Sequence, residues 1–384
     1  MMELNRSQKE IQKAARDFAR GEFDKTQSLE LEKNRRFPEE IWKKAAELGF
    51  IGIQFPEMYS GGGLGIVEAA LIAEAFCCVD STFGMALTLA GLGCEAIFRF
   101  GDNGLKKKVL PGICQGRRLS AIAFSETAHG CDLSAMNTRA VFMGDTIIIN
   151  GEKTHVANRG KNGIYLVLCN TGQNADAPEK DLSMVLVDGG NNGIAMTDSG
   201  KKFGVNMMPS ATMGFHDVSV PASNLVGKAG EGRLQAERFQ DEMKILTAAQ
   251  ALGTAQGALE RALGYVRQRE QFSRKLSAFQ ITRHKIAAMA TKVVLARLIT
   301  YRAACLFDAG KADRTMIAMA KMTSARAAVE VADEAIQLFG GYGYMKESEV
   351  EHFFRDAKVA ELCFGNTSDQ KDSIGEAILG RIRK

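Results

Sequence analysis

The sequence predicts an α+β protein built from a helical segment, a β segment and a second helical segment. Apolar residues recur at helical spacing over residues 1–118 and again over residues 227–384. Between them, over residues 119–226, short runs rich in β-branched residues alternate with turn signals. We therefore expect, with these boundaries, an N-terminal α-helical domain, a middle antiparallel β barrel or sandwich, and a C-terminal four-helix bundle.

The composition argues against several classes of protein. The net charge of +4 is spread along the chain and the longest basic run is three lysines, so we expect no nucleic-acid partner. No apolar run reaches the roughly 18 residues of a membrane span, and the first residues lack an apolar signal region. We therefore expect a cytoplasmic protein without membrane insertion. The scattered cysteines and histidines predict free thiols and no metal site.

The N-terminal domain should contain several helices. Ser7 is predicted to cap the first, because it precedes Gln-Lys-Glu and an apolar helical pattern. Pro38 is predicted at the start of another helix. Three more helices are expected near residues 64–78, 81–99 and 103–115. The glycine-rich segment before them lacks the spacing of a phosphate-binding loop, so it predicts a plain connector.

The middle domain should contain short strands. Four are predicted, at residues 146–149, 164–168, 184–187 and 214–220. The dipeptide Asn150-Gly151 follows the first run directly, and Asn-Gly in that position is a strong signal for a β-hairpin.

The C-terminal domain should be a bundle of four long helices, near residues 234–270, 279–308, 312–338 and 347–380. Glycines at positions 340, 341 and 343 interrupt the pattern before the last helix. Since glycine lets another backbone or a ligand approach closely, they predict a loop with a specific role.

Several motifs, in order along the whole chain, resemble those of the acyl-CoA dehydrogenase family. They are Ser125-Glu-Thr-Ala-His-Gly-Cys-Asp132, Lys153-Thr-His-Val-Ala-Asn-Arg-Gly160, Arg269-Glu-Gln-Phe-Ser-Arg-Lys-Leu-Ser-Ala-Phe-Gln280, Gln337-Leu-Phe-Gly-Gly-Tyr-Gly-Tyr344, Arg355-Asp-Ala-Lys358 and Phe364-Gly-Asn-Thr-Ser-Asp-Gln370. The resemblance implies the three-domain fold, FAD as cofactor, and desaturation of an acyl-CoA with electrons passed to an electron-transferring flavoprotein. It also implies a homotetramer in which each flavin lies between two subunits.

The resemblance further implies which residues contact FAD. Around the chain's own flavin these are Phe124, Ser125, His155 and Ala157; the others, partly directed at a neighbour's FAD, are Arg269, Phe272, Leu276, Gln280, Gln337, Gly340 and Gly341. His155 and Ala157 stand where the family has Trp and Thr. An imidazole can stack on a flavin over less area, whereas alanine has no hydrogen-bond donor. For His155, an ordinary position at the sheet edge is an equal alternative.

The catalytic base of the family is missing from its usual position. The Glu that removes the α-proton, while the flavin accepts hydride from the β-carbon, is replaced by Phe364, and an alternative Glu position is Met243. Glu242 is a weak candidate, about 100° off the required helix face, and a solvated carboxylate is the favoured interpretation. Residues expected near the substrate are Cys131, Lys244, Phe364 and Gly365. Asp80, Glu95 and Glu126 are further carboxylates, of which Glu126 is expected to be structural.

Three functions remain open. The first is a dehydrogenase for an unusual, for example cyclic, acyl-CoA with its proton acceptor elsewhere. The second is a catalytically silent subunit of an α2β2 assembly that supplies FAD contacts to a related chain. The third is a binding or regulatory protein that retains only acyl-CoA affinity.

Overall fold

A computed structural model describes residues 3–130, 132–133, 136–172 and 181–380. Its N-terminal part is helical, as the apolar spacing predicts. The helices are α1 Arg6–Glu22, α2 Lys25–Asn34, α3 Glu39–Glu47, α4 Ile66–Val79, α5 Ser81–Thr88, α6 Cys94–Phe100 and α7 Asn103–Cys114. Helix α4 is buried along almost its whole length, because it packs against α1 and α5 of this part and against two helices of the C-terminal part. Pro38 lies directly before α3, where it was predicted.

Two predictions for this region are wrong in detail. Asn5, not Ser7, caps α1: its side chain accepts the backbone N–H of Gln8 at 2.8 Å, and the Gln8 side chain accepts the N–H of Asn5 at 3.1 Å. This reciprocal pair requires Gln or Glu three residues after the cap. Asn5 has Gln8 and Ser7 has Glu10 at that spacing, so the sequence pattern allowed either residue and the structure selects Asn5. The predicted helix 81–99 is two helices, because Gly93 adopts a φ of 101° that no α-helix accommodates.

The middle part forms one mixed sheet. Its strands are β1 Ser120–Ala123, β2 Arg139–Met143, β3 Thr146–Val156, β4 Ile164–Asn170, β5 Leu182–Asp188, β6 Ile194–Asp198, β7 Ala211–Pro221 and β8 Leu225–Val226. The order is β6-β7-β3-β2-β4-β5-β8, with β1 beside β4. The β1–β4 and β2–β4 pairs are parallel, unlike the purely antiparallel sheet predicted. Two parallel strands have to be joined by a long connection. Between β1 and β4 this connection contains the β2–β3 hairpin.

The hairpin predicted at Asn150-Gly151 is instead a β-bulge inside β3. The register of β3 against β7 shifts between Ile149 and Gly151, and the Asn150 side chain bonds both the backbone N–H and the carboxylate of Asp217. A side chain at Gly151 would clash with Thr138, so glycine is needed at this crossing. The hairpin between β2 and β3 is two residues long and contains Gly144 at a φ of 62°.

Strand β4 joins two apolar cores. Its residues Ile164, Leu166 and Leu168 belong to the core that the sheet shares with the helices. The alternate residues Tyr165 and Val167 belong to a second core on the opposite face of the sheet. Successive side chains of a strand point to opposite faces of the sheet. One face of this sheet therefore packs against the helices, and the other face encloses a core formed by the strands themselves.

The C-terminal part is a helical bundle. It consists of α8 Gly232–Gln268, the short hairpin β9 Glu270–Gln271 and β10 Arg274–Lys275, α9 Gln280–Asp308, α10 Arg314–Phe339, α11 Val350–Leu362 and α12 Thr367–Leu379. The predicted fourth helix is two helices, because Phe364 and Gly365 adopt φ values of 51° and 88°. Asn366 then caps α12 by accepting backbone N–H groups of Ser368 and Asp369.

The fold class predicted from the sequence is thus confirmed, and the boundaries at residues 118 and 226 stay a prediction. Among the described residues, no helix is long and apolar enough to cross a membrane. The same part of the chain has no group of three or more His, Cys, Asp or Glu side chains placed to hold a metal ion.

Candidate active site

A cavity of about 520 Å³ lies where the sheet, α8 and the end of α11 meet. Five residues predicted to face flavin or substrate line it together: Phe124, Ser125, His155, Ala157 and Phe364. The other wall residues are mostly aliphatic. A volume of this size, largely apolar with a few polar groups, is typical of a site for an organic ligand.

The motifs that begin at Ser125 and Lys153, which the resemblance implies contact flavin, are held side by side by a buried ion pair. The backbone N–H of Thr154 donates to the carbonyl of Ser125 at 2.9 Å. Lys153, fully buried, donates to Glu126 Oε1 at 2.8 Å and to the carbonyl of Phe124 at 3.2 Å. Burial opposes ionisation of Glu126, but Lys153 and two backbone N–H donors outweigh it, so its pKa is lowered. Glu126 is therefore part of the scaffold, as expected, and is held as a carboxylate.

The segment after β3 is fixed by Asn158. Its side-chain amide donates to the carbonyls of Leu89 at 2.8 Å and Ser120 at 2.9 Å. His155 and Asn158 both have positive φ, near 55° and 51°, so the chain turns sharply as it passes the cavity. The buried Asn158 Oδ1 has no hydrogen-bond partner within the described residues.

Phe364 puts an aromatic wall where the family resemblance implies a carboxylate. Its ring centroid lies 6.2 Å from that of Phe239, which is 5.9 Å from that of Phe124. Lys321 holds the turn by donating to the carbonyl of Gly365 at 2.5 Å. The described residues that line the cavity include no aspartate or glutamate.

The candidate base Glu242 is not a solvated carboxylate, so that interpretation is wrong. It is 4% exposed, and Arg99 Nε donates to its Oε2 at 2.6 Å. Burial raises the pKa of Glu242, although Arg99 opposes the shift. Arg99 lies 143 residues away in the sequence, so the position of Glu242 on its helix could not reveal this ion pair. Glu242 does not line the cavity.

Two other carboxylates are also buried outside the cavity wall. Burial and the nearby charge of Glu242 raise the pKa of Glu95 to about 8. Glu95 lines a small adjoining cavity, together with Thr88 and Leu246. Asp80 caps α5 by accepting the backbone N–H of Phe83 at 2.9 Å.

The remaining substrate candidates have different locations. Lys244 lies on α8, 3.4 Å from Asp241, and outside the cavity wall. Cys131 lies outside the described residues. Lys202, which sequence analysis missed, does line the cavity, and its burial lowers its pKa to about 8. Its position in a loop before β7, far in sequence from every motif, gave no signal.

A second cavity of about 490 Å³ opens on the outside of the bundle. It brings together most of the residues predicted to contact a neighbour's cofactor: Arg269, Leu276, Gln337, Gly340 and Gly341. It shares no lining residue with the first cavity. Phe272, at the turn of the β9–β10 hairpin, and Gln280 lie outside its wall, and Phe272 is 88% exposed.

The first cavity suits the ring system of a flavin, and the second suits the pyrophosphate of FAD. The first offers aromatic and apolar walls for a planar ring system, and its wall residue Ala157 is followed in sequence by Asn158, whose amide oxygen has no partner within the described residues. The second offers the Arg269 guanidinium, which suits a pyrophosphate, and glycines at which an added side chain would meet only open space. The two groups of residues are separate, since the cavities have no lining residue in common.

Comparison with family models matches all three parts of the chain. Residues 5–117 match "Acyl-CoA dehydrogenase, N-terminal domain", residues 121–218 the middle domain and residues 230–379 the C-terminal domain. An acyl-CoA dehydrogenase of Bacillus subtilis is 33% identical, with 99% of this chain and 100% of that protein covered. A mitochondrial isobutyryl-CoA dehydrogenase of Dictyostelium discoideum is also 33% identical, over 98% of this chain and 89% of that protein.

Solved structures agree. Butyryl-CoA dehydrogenase from Megasphaera elsdenii superposes with a TM-score of 0.93 at 30% identity, covering 99% of this chain and 100% of the other. A chain from a structure of the electron transferring flavoprotein of Acidaminococcus fermentans gives a TM-score of 0.94 at 34% identity, with the same coverage. Members of the matched family are FAD-dependent oxidoreductases that act on CH–CH bonds. The chain, matched from end to end, belongs to the acyl-CoA dehydrogenase family.

Proposed function

We propose that this chain is an FAD-dependent dehydrogenase for the CoA thioester of an unusual acyl group, with electrons passed to an electron-transferring flavoprotein. The observation that carries the proposal is the first cavity, where flavin-wall residues such as Phe124 and His155 lie together with Phe364. Similarity to the butyryl-CoA dehydrogenase and to the chain from the electron transferring flavoprotein structure supports the substrate class and the acceptor.

FAD, when bound, supplies the acceptor for the hydride that leaves the acyl chain. Phe124, Ser125, His155 and Ala157 would flank its ring, and the aliphatic wall would exclude water. Arg269 of another copy would meet its pyrophosphate.

The missing carboxylate limits the substrates. A general base has to reach its proton at about 2.6–3.2 Å, and no described lining residue is an aspartate or glutamate. Straight-chain acyl-CoAs should therefore be poor substrates, and the natural acyl group should place its acidic hydrogen elsewhere. Glu242 is a poor candidate for the acceptor, since Arg99 already binds it.

A second candidate is a catalytically silent subunit in an α2β2 assembly with a related chain. The second cavity supports it, because Arg269, Gly340 and Gly341 line it together and would serve a neighbour's FAD. His155 and Ala157, which replace the Trp and Thr implied by the resemblance, would bind the chain's own flavin more weakly. A homotetramer is the corresponding assembly for the first candidate. The cytoplasmic location stays a prediction.

The visible absorption spectrum of the chain purified alone distinguishes the two. Flavin bands, followed by bleaching with a CoA thioester under anaerobic conditions, support the dehydrogenase. A colourless protein that stays colourless after incubation with FAD contradicts it and favours the silent subunit, which should then acquire flavin only with its partner chain.

A further inference from the structure

One side of the first cavity carries polar groups that its apolar surroundings do not explain. Gln240, Thr247 and Gln250 all project from α8 into the wall. Their spacing of seven and three residues places them on one face of the helix. The adjacent wall from α5 and the residues after it, including Met85 and Leu89, is aliphatic.

The hydroxyl of Thr247 is the first observation. Thr247 is 2% exposed, lines the cavity, and its Oγ1 has no hydrogen-bond partner within the described residues. Buried hydroxyls are normally bonded. Thr254 on the same helix follows that rule, because its Oγ1 donates to the carbonyl of Gln250 at 2.9 Å. The unpaired Thr247 hydroxyl therefore suits a polar atom of a ligand.

The amide of Gln250, one turn further along, is the second observation. Its Nε2 donates to Thr88 Oγ1 at 2.8 Å, and Thr88 in turn donates to the carbonyl of Gly84 at 2.6 Å. These bonds fix the plane of the amide and use one of its two N–H donors. The amide oxygen of Gln250 is then the group that can accept a hydrogen bond from a ligand, beside the hydroxyl of Thr247.

The charges around this end of the cavity favour a neutral ligand group. Glu95 lines the adjoining cavity with Thr88, and Arg99 is bound to Glu242. The cationic residue Lys202 lines the cavity from the loop before β7, where its Nζ donates to the carbonyl of Met208. On α8 itself, Lys244 is paired with Asp241 and does not line the cavity. An anionic group beside Thr247 would therefore lose its hydration without gaining a cation from this helix as partner.

We propose that the acyl group accepted here carries a hydroxyl substituent, which donates to the amide oxygen of Gln250 and accepts from the hydroxyl of Thr247. The inference rests on the proposed binding of an acyl-CoA in this cavity. At about 1.5 Å per residue, Thr247 lies roughly 12 Å along α8 from Phe239, whose ring packs near Phe364. The substituent is thus several carbon atoms from the thioester.

Calorimetric titration of the FAD-incubated protein tests the inference without requiring turnover. Hexanoyl-, octanoyl- and decanoyl-CoA are each compared with the thioester that carries a hydroxyl on the last carbon. We expect at least one hydroxylated thioester to bind about tenfold more tightly than its parent, the effect of one well-formed hydrogen bond.

Variants connect the preference to the residue. Thr247→Val, which keeps the shape and removes the hydroxyl, should abolish the advantage, and Thr247→Ser should retain it. Thr254→Val is the matched control: it removes a buried hydroxyl of the same helix outside the cavity wall, and should leave the advantage unchanged.

The outcomes separate the two proposals. If the parent thioesters bind as tightly as all the hydroxylated ones, or if Thr247→Val keeps the advantage, the inference is overturned and the proposed function stands. If no thioester of either series binds, the proposed function fails and the inference fails with it.

Discussion

Single side chains decide what chemistry the first cavity can perform. Phe364 lines the wall at the position where the family resemblance implies a carboxylate, and Glu242 and Glu95 are buried but do not line the cavity. Both glutamates have raised pKa values because burial disfavours their charged forms. The carboxylates of this region thus affect the stability of the fold more directly than the reaction.

Restoring the missing base should restore ordinary dehydrogenation. In flavin-loaded protein, Phe364→Glu is expected to raise the rate of flavin bleaching by hexanoyl-CoA by a factor of roughly 10²–10⁴, the usual effect of a positioned general base. Phe364→Gln is the control. Glutamine has nearly the shape of glutamate but cannot accept the proton, so this variant should show no gain. Fast bleaching by the unmodified protein would show that a base is already in reach.

Glu95 should make stability depend on pH in a defined window. Its pKa is about 8 in the folded protein against 4.5 in the unfolded chain. Between these values the folded state holds a proton that the unfolded state has released, so the free energy of unfolding falls as pH rises and levels off above pH 8. The slope is at most about 1.4 kcal/mol per pH unit.

Urea unfolding of the wild type and of Glu95→Gln from pH 5 to pH 9 measures this effect. The variant keeps an amide in place of the carboxyl and cannot titrate, so its stability relative to the wild type should increase with pH. Parallel pH profiles for the two proteins would show that Glu95 is not buried as a protonated acid.

At the scale of elements, the connection between α8 and α9 builds the second cavity. The tight turn of the β9–β10 hairpin has Phe272 and Ser273 at positive φ, and Arg269 precedes it with its guanidinium 5.8 Å from the ring of Tyr342. The hairpin thus brings Arg269 beside the glycine loop after α10, although 70 residues separate them.

Arg269→Ala should release FAD while the helices stay folded. A charged hydrogen bond to a phosphate is worth roughly 1.5–3 kcal/mol, which corresponds to about a tenfold to hundredfold loss of affinity. Flavin content after gel filtration and the far-ultraviolet circular dichroism spectrum measure the two properties. Arg267→Ala is the matched control, since Arg267 is exposed near the same helix end and does not line the cavity. Unchanged flavin content in Arg269→Ala would remove this segment from the proposed cofactor site.

At the scale of the whole molecule, the chain presents an apolar face that its own fold does not cover. Four aliphatic residues of α9 are more than 40% exposed: Ile281, Val294, Leu295 and Leu298. Large exposed apolar patches of this kind mark interfaces between proteins. Together with the separation of the two cavities, the face supports an obligate oligomer.

We therefore expect a functional protein larger than the 41.7 kDa monomer. Light scattering combined with a flavin spectrum measures both properties on one sample. A coloured tetramer supports the homotetramer, and a colourless chain that becomes coloured on mixing with a related chain supports α2β2. A stable monomer with tightly bound FAD would contradict both assemblies.

The sequence by itself determined the order of helices and strands, the family and the absence of a carboxylate at position 364, because periodicity and motif spacing are local properties of the chain. Only the tertiary structure decided that Glu242 is paired with Arg99, that Lys202 and Thr247 line the cavity, and that Asn150-Gly151 forms a bulge. Each of these depends on contacts between residues far apart in sequence. The helical pattern shows which side of α8 is apolar. Which residues of the other elements contact that side depends on how those elements pack.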